Sequence, residues 1–102
     1  MNNLLPVGSV VYLKEGNTKL VIIGICQFTK QEPNAKPVYY DYVASEYPQG
    51  LNPDNVYYFN DDSVDEVLHD GYKSEDHDRF LKMVGEWIEE HKSEFKIGKV
   101  LD

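Results

Sequence analysis

Four short apolar runs open this chain, separated by gaps too short to hold a crossover helix. They then give way to a helical pattern. Parallel neighbours need a connection of about a dozen residues or more, usually a helix. Residues 9–14 (SVVYLK), 19–28 (LVIIGIC at the centre), 38–43 (VYYDYV) and 56–59 (VYYF) are β-branched and aromatic, and polar turn residues part them. Strands followed by helices imply an α+β protein. The expectation is a small curled antiparallel sheet or barrel of four to five strands, with an SH3-like barrel as one form, followed by a short and a long C-terminal helix. With 102 residues there is room for one domain, read as residues 1–102, with a β-rich part at 4–59 and a helical part at 60–97.

Local signals refine this. Gly16 and Asn17 supply turn chemistry, as both tolerate positive φ. Gly24 inside the second run predicts a bulge or bend. Asn60 or Asp61 is placed to cap a short helix, with Val64, Val67 and Leu68 as its apolar side and Gly71 as its stop. Ser74 caps the longer helix, with Glu75 and Asp76 in its first turn. Phe80, Leu81, Val84, Trp87, Ile88 and Phe95 recur at spacings of three and four, an amphipathic stripe. Gly98 ends the order and leaves Val100-Leu101 to fray or tuck back. The predicted core is Val11, Leu13, Leu20, Ile22, Val67, Phe80, Val84, Trp87 and Ile88, with Trp87 as the main anchor of the long helix.

Charge is divided unevenly. Residues 1–51 balance four Lys (14, 19, 30, 36) against four acids (Glu15, Glu32, Asp41, Glu46). Residues 52–102 hold six basic and fourteen acidic residues, the whole net charge of −8. Phosphate binding rests on clustered Lys and Arg, so nucleic acid is an unsuitable partner. An anionic membrane surface is disfavoured for the same reason. The longest apolar run, 20–26, is far too short to span a bilayer, which takes roughly 20 residues. No secretory signal is legible at the N-terminus, and the single Cys26 lies in the most apolar run. Both features fit a reduced, cytoplasmic setting.

Reaction chemistry is hard to find. Asp61, Ser63 and Asp65 begin like a calcium loop, but Glu66 stands where glycine is needed and Tyr72 where glutamate is needed. His77 and His91, on one helix, are about 21 Å apart at 1.5 Å per residue and cannot share an ion. No serine has nucleophile-elbow context, and there is neither a dinucleotide fingerprint nor a P-loop. The nine acids and one Lys from Asp54 to Asp78 read as a solvated face. The expectation is therefore no catalytic residue, no metal and no cofactor. The tyrosines say more. Tyr39, Tyr40, Tyr42, Tyr47, Tyr57 and Tyr58 fall within twenty residues, and tyrosine favours interfaces because it joins a rigid apolar ring to a polar tip.

Four blocks carry a family resemblance: LLPVGSVVYLKEG at 4–16, KLVIIG at 19–24, YDYVASEYPQG at 40–50 and YFNDDSVDEVLHDGY at 58–72. Over residues 4 to about 88 the chain resembles a family of small Firmicute proteins of unknown function, encoded in type VII (Esx) secretion loci beside LXG-type toxins. The resemblance implies a non-catalytic, cytoplasmic accessory protein, an adaptor or chaperone. It would bind an LXG toxin or a WXG-like helical protein and aid its targeting. The alternative is an immunity protein that neutralises a co-encoded toxin, since acidic surfaces mask basic active sites. The binding face is placed on the loop Tyr47-Pro48-Gln49-Gly50 with the flanking Asp41 and Tyr42; the alternative is that this stretch is a turn closing the sheet, with Tyr47 packed inward. Pro48 and Gly50 fix the loop's shape, and Tyr47 offers an aromatic anchor.

Overall fold

The computed structural model describes residues 3–30 and 32–98. Val100 and Leu101 lie outside the described residues. Strands β1 (Val10–Leu13), β2 (Leu20–Thr29), β3 (Val38–Glu46), β4 (Tyr57–Phe59) and β5 (Val64–His69) precede helix α1 (Glu75–Glu90) and a short strand β6 (Lys96–Ile97). The sheet order is β4-β3-β2-β1-β5, and every pairing along it is antiparallel. β6 adds to the start of β3 in parallel, with Val38 opposite Lys96 and Tyr39 opposite Ile97. β4 and β5 are the ends of this path and do not pair with each other. The sheet is therefore open, and the barrel expectation is corrected.

The backbone explains the bends. Gly24 does mark an irregularity, as the β2–β3 register shifts between Ile22 and Gly24. A Cβ there would stand 2.8 Å from both Gln27 Nε2 and Val43 Cγ1. In the first turn, the residue with positive φ is Glu15, at 63°; Gly16 instead donates its N–H to the Leu13 carbonyl at 2.9 Å.

The expected short helix at 60–71 is absent. A single turn of 3-10 helix, Asp61–Ser63, leads straight into β5. The reason lies in the register. Val64 pairs with Leu13, Glu66 with Tyr12, Val67 with Val11 and His69 with Val10, with shifts on both sides of the central pairs. A bulge inserts one extra residue and locally stretches the strand's period of two. Val64 and Val67 therefore stand opposite Leu13 and Val11, alternate residues of one strand face, yet lie three apart in sequence. Two bulges imitate a helical spacing. Gly71 is not a helix stop either. A Cβ on it would collide with the Val7 carbonyl oxygen, and its N–H donates to Ser9 Oγ at 3.0 Å.

The long helix is shorter than expected. Ser74 caps it, its hydroxyl accepting the His77 N–H at 3.3 Å. The chain leaves α1 at His91, passes through a 3-10 turn at Lys92–Glu94 and enters β6. The 60–97 region thus contributes two strands and one 16-residue helix.

The core joins Val11, Leu20, Ile22, Tyr42, Ala44 and Phe59 of the sheet to Leu4 and to Leu81 of α1. Leu13 packs at its margin. Val67, Phe80 and Trp87 are exposed, and Val84 and Ile88 are half-buried. The stripe exists, but the helix docks through its His77 and Leu81 edge. His77 is buried and its Nε2 meets the Leu4 carbonyl at 2.9 Å. Val67 is exposed because β5 is an edge strand.

Core and stripe residues should therefore differ in energetic weight. Phe59→Ala is expected to destabilise by about 3–5 kcal/mol. Trp87→Ala removes partly solvated surface and should cost about 1–2 kcal/mol. Urea melts compare them, and equal losses would mean that α1 docks through Trp87.

Candidate functional site

Three surface features carry the chemistry of this fold: a polar node beside a cleft, an aromatic face on α1, and the loop after β3.

The node joins four chain segments. Tyr42 is fully buried. Its hydroxyl donates to Asp61 Oδ1 at 2.5 Å and accepts the Leu5 N–H at 2.9 Å. Asp41 Oδ1 accepts the Tyr39 hydroxyl at 2.9 Å, and Oδ2 accepts the Asp61 N–H at 2.8 Å. Asn60 Oδ1 accepts the Asp41 N–H at 2.9 Å, and Asn60 Nδ2 donates to the Gly98 carbonyl at 2.7 Å. Between this node and α1 lies a cleft of about 570 Å³, with Leu4, Ile88 and Ile97 supplying apolar walls and Asp62 and Glu89 adding charge. The node's polar groups satisfy one another, which suits a structural clasp. Among the described residues, no three His, Cys, Asp or Glu side chains are grouped to hold a metal ion.

Environment holds the node's tyrosines neutral. Burial, then the hydrogen bond to Asp61, pushes the Tyr42 phenol well above its ordinary range, against the opposing pull of the Leu5 N–H. Burial, then the neighbouring Cys26 and Asp41 charges, does the same to Tyr39. Burial also raises the Cys26 thiol, which shares a hydrogen bond with Tyr39. Cys26 adopts a φ of 55°, in the left-handed region that disfavours side chains.

On α1, Phe80, Met83 and Trp87 are 38%, 60% and 43% exposed. Phe28 of β2 joins them at 40%. Its ring meets Trp87 edge-on at 5.5 Å, and also packs against Tyr39 and Phe95, each at 5.3 Å. Trp87 stacks on His91 at 4.1 Å, and His91 Nδ1 lies 2.7 Å from the Trp87 carbonyl. Phe28 and Trp87 of this face are thus held by ring contacts. The periodicity of the sequence marks Phe80 and Trp87 but assigns them to the core, and it does not mark Met83. Phe28 escaped it, because a strand residue beside a polar loop gives no signal of what lies across from it.

The structure separates the five residues expected to form the binding face. Tyr42 belongs to the core and offers no surface, a correction that follows from its buried ring and its two internal hydrogen bonds. Asp41 belongs to the node. Tyr47 and Pro48 are exposed and Gly50 is half-buried. The Tyr47 N–H donates to the Lys19 carbonyl at 2.9 Å, and the Gly50 N–H to the Glu46 carbonyl at 2.8 Å. Gly50 has a φ of 86°. Tyr47 is 49% exposed and borders a groove with Val10, Val21, Leu68 and His69. Val10 and Val21 alternate with the core residues Val11, Leu20 and Ile22, so this groove is on the side of the sheet away from α1.

Residues 4–80 match the family described as Domain of unknown function (DUF4176), and the chain belongs to that family. No curated protein and no solved structure matches the chain. No helix among the described residues is long and apolar enough to cross a membrane.

The node should be visible in alkaline titration. The unfolded chain releases phenol protons near pH 10, whereas the fold retains those of Tyr39 and Tyr42. Their contribution is full below about pH 10 and is lost as pH rises above it. Tyr42→Phe leaves the Leu5 N–H and Asp61 without this partner, and should cost about 1–3 kcal/mol at neutral pH. It should also flatten the alkaline fall. Melts of both proteins from pH 8 upward check this, and parallel falls would contradict it.

Proposed function

We propose that this DUF4176 protein is a non-catalytic adaptor of Firmicute type VII (Esx) secretion, which binds an LXG-type toxin or its WXG-like helical partner in the cytoplasm and aids its targeting. The observation that carries the reading is the aromatic face of α1 and Phe28. Large apolar side chains grouped on one face and open to water suit a protein interface. A helix in a groove or along another helix is recognised through anchors at positions i, i+3 and i+7, the spacing of Phe80, Met83 and Trp87. The family blocks at 40–50 and 58–72 suggest the secretion setting.

The second reading is an immunity protein. It draws on the cleft carrying Asp62 and Glu89, which would suit a basic toxin surface. The two readings differ in where the partner is held: the LXG targeting segment for an adaptor, the C-terminal toxic domain for an immunity protein.

The test is affinity capture of the tagged protein from its native host, read by mass spectrometry. Recovery of an LXG protein or its WXG-like partner is expected, and absence of every locus product would overturn the proposal. Met83→Glu alters a mostly solvated side chain and should leave the melt nearly unchanged while reducing capture. Tyr47→Ala tests the opposite side of the sheet. A stable variant that loses about 2 kcal/mol of partner binding would add that loop to the interface, whereas a lowered melt with unchanged binding would assign it to the fold.

A further inference from the structure

We propose that the outer face of α1 takes a basic amphipathic helix, its apolar seam laid along Phe80, Met83 and Trp87 and its Lys or Arg flanks against the acidic border of that face. The inference rests on the adaptor reading for the site and adds the chemistry of the occupant.

The shape of the face favours a helix over an extended segment. Phe80, Met83 and Trp87 run down one line of α1 for about 10 Å, with the alternating spacing of three and four that paired helices share along a seam. An extended segment gains much of its affinity from the free backbone groups of a sheet edge. The interior of α1 has none to give, because its N–H and carbonyl groups are paired within the helix.

The charge of the border favours a basic occupant. Asp76 and Glu90 lie four residues before Phe80 and three after Trp87, so they continue the same line at both ends. Glu86 flanks Met83 and Trp87. Arg79 and Lys82 are the cations of α1: Arg79 is already engaged by Glu75 at 3.6 Å and by Asp76, and Lys82 lies further round the helix from the seam than Glu86. Lys92, just past the helix end, pairs with Glu89 at 2.8 Å. Lys36 is turned toward the Ser93 carbonyl, beyond the last turn, at 3.0 Å. An apolar seam ended by acids discriminates between partners by the sign of their flanking charges. The net charge of −8 adds long-range attraction for a basic partner and repels a second copy of this chain.

Trp87 is the only tryptophan, so its fluorescence reads this face directly. Three synthetic helical peptides of equal length serve as probes: a leucine seam with lysine flanks, the same seam with glutamate flanks, and the lysine flanks with a serine seam. The first should shift the Trp87 emission and saturate. The second should bind at least about tenfold more weakly, and the third should not saturate. Raising salt from about 50 to about 500 mM should weaken the first by about fivefold or more. Met83→Glu should weaken it by about tenfold with the melt unchanged.

Equal binding by both leucine-seam peptides, saturation by the serine-seam peptide, or no response to any of the three would overturn the proposal. So would a dimer in sedimentation that Met83→Glu dissolves, because the occupant would then be a second copy. Failure here is separable from failure of the adaptor reading. A native partner captured through Met83 but insensitive to salt and to the lysine peptide removes this inference alone. A saturating lysine peptide with no locus product captured removes the adaptor reading alone.

Discussion

The side chains of Asp41 and Tyr42 hold this fold together at a point that no ladder reaches. The two are adjacent in β3 and both bond to Asp61: the Tyr42 hydroxyl donates to its carboxylate, and the Asp41 carboxylate accepts its backbone N–H. Asn60 then ties the Asp41 backbone to Gly98, and the Tyr42 hydroxyl ties in Leu5. Four segments distant in sequence meet there: the lead-in, β3, the turn before β5 and the end of β6. Side chains have to join them because β6 is only two residues long and pairs with one end of β3. Gly98 completes the clasp by having no side chain. A Cβ there would overlap the Tyr40 ring, so the strap lies close against β3 only with glycine at this position.

Much of the sheet was legible in sequence because its strands are apolar runs bounded by turn chemistry. β1, β2 and β3 fall where composition and period place them, and Gly24 marks a real irregularity. β5 was illegible for a specific reason. Two bulges within six residues convert the strand's period of two into steps of three, and an acid-rich start supplies a false helix cap. Period alone cannot separate a doubly bulged edge strand from one turn-and-a-half of helix. The partner strand decides it, and the partner lies more than fifty residues upstream.

The candidate site was partly legible too. The stripe on α1 was visible, but its direction was not. An amphipathic pattern gives the angular centre of the apolar side, not the side that meets the sheet. Here Leu81 and His77 take the docked edge, and Phe80, Met83 and Trp87 are left outside. The polarity of His77 conceals its role, because a buried imidazole bonded to the Leu4 carbonyl has no sequence signature distinct from a surface histidine. The Tyr47 loop shows the opposite failure. Its ring is exposed, while Tyr42, five residues away and chemically alike, is fully buried in the core. Tyrosine composition signals polar-tipped rings. It does not say whether the tip meets water or a carboxylate of the same chain.

The uneven division of charge acquires a physical sense from this arrangement. Two groups of acids stand in different electrostatic circumstances. Asp61 and its β3 partner Asp41 are met by hydroxyl and amide donors, so their charge is answered without any cation. That is how a neutral-donor clasp tolerates carboxylates at the edge of a core. The acids of α1 are solvated, and among the described residues their ion-pair partners are Arg79 and Lys92 on the helix surface. Exposed pairs of that kind contribute little to stability. Their effect is therefore on what approaches the helix rather than on whether the helix forms. A face with aromatic rings at its centre and carboxylates along its border gains apolar burial from any helix of fitting shape, and the border decides which such helices are admitted.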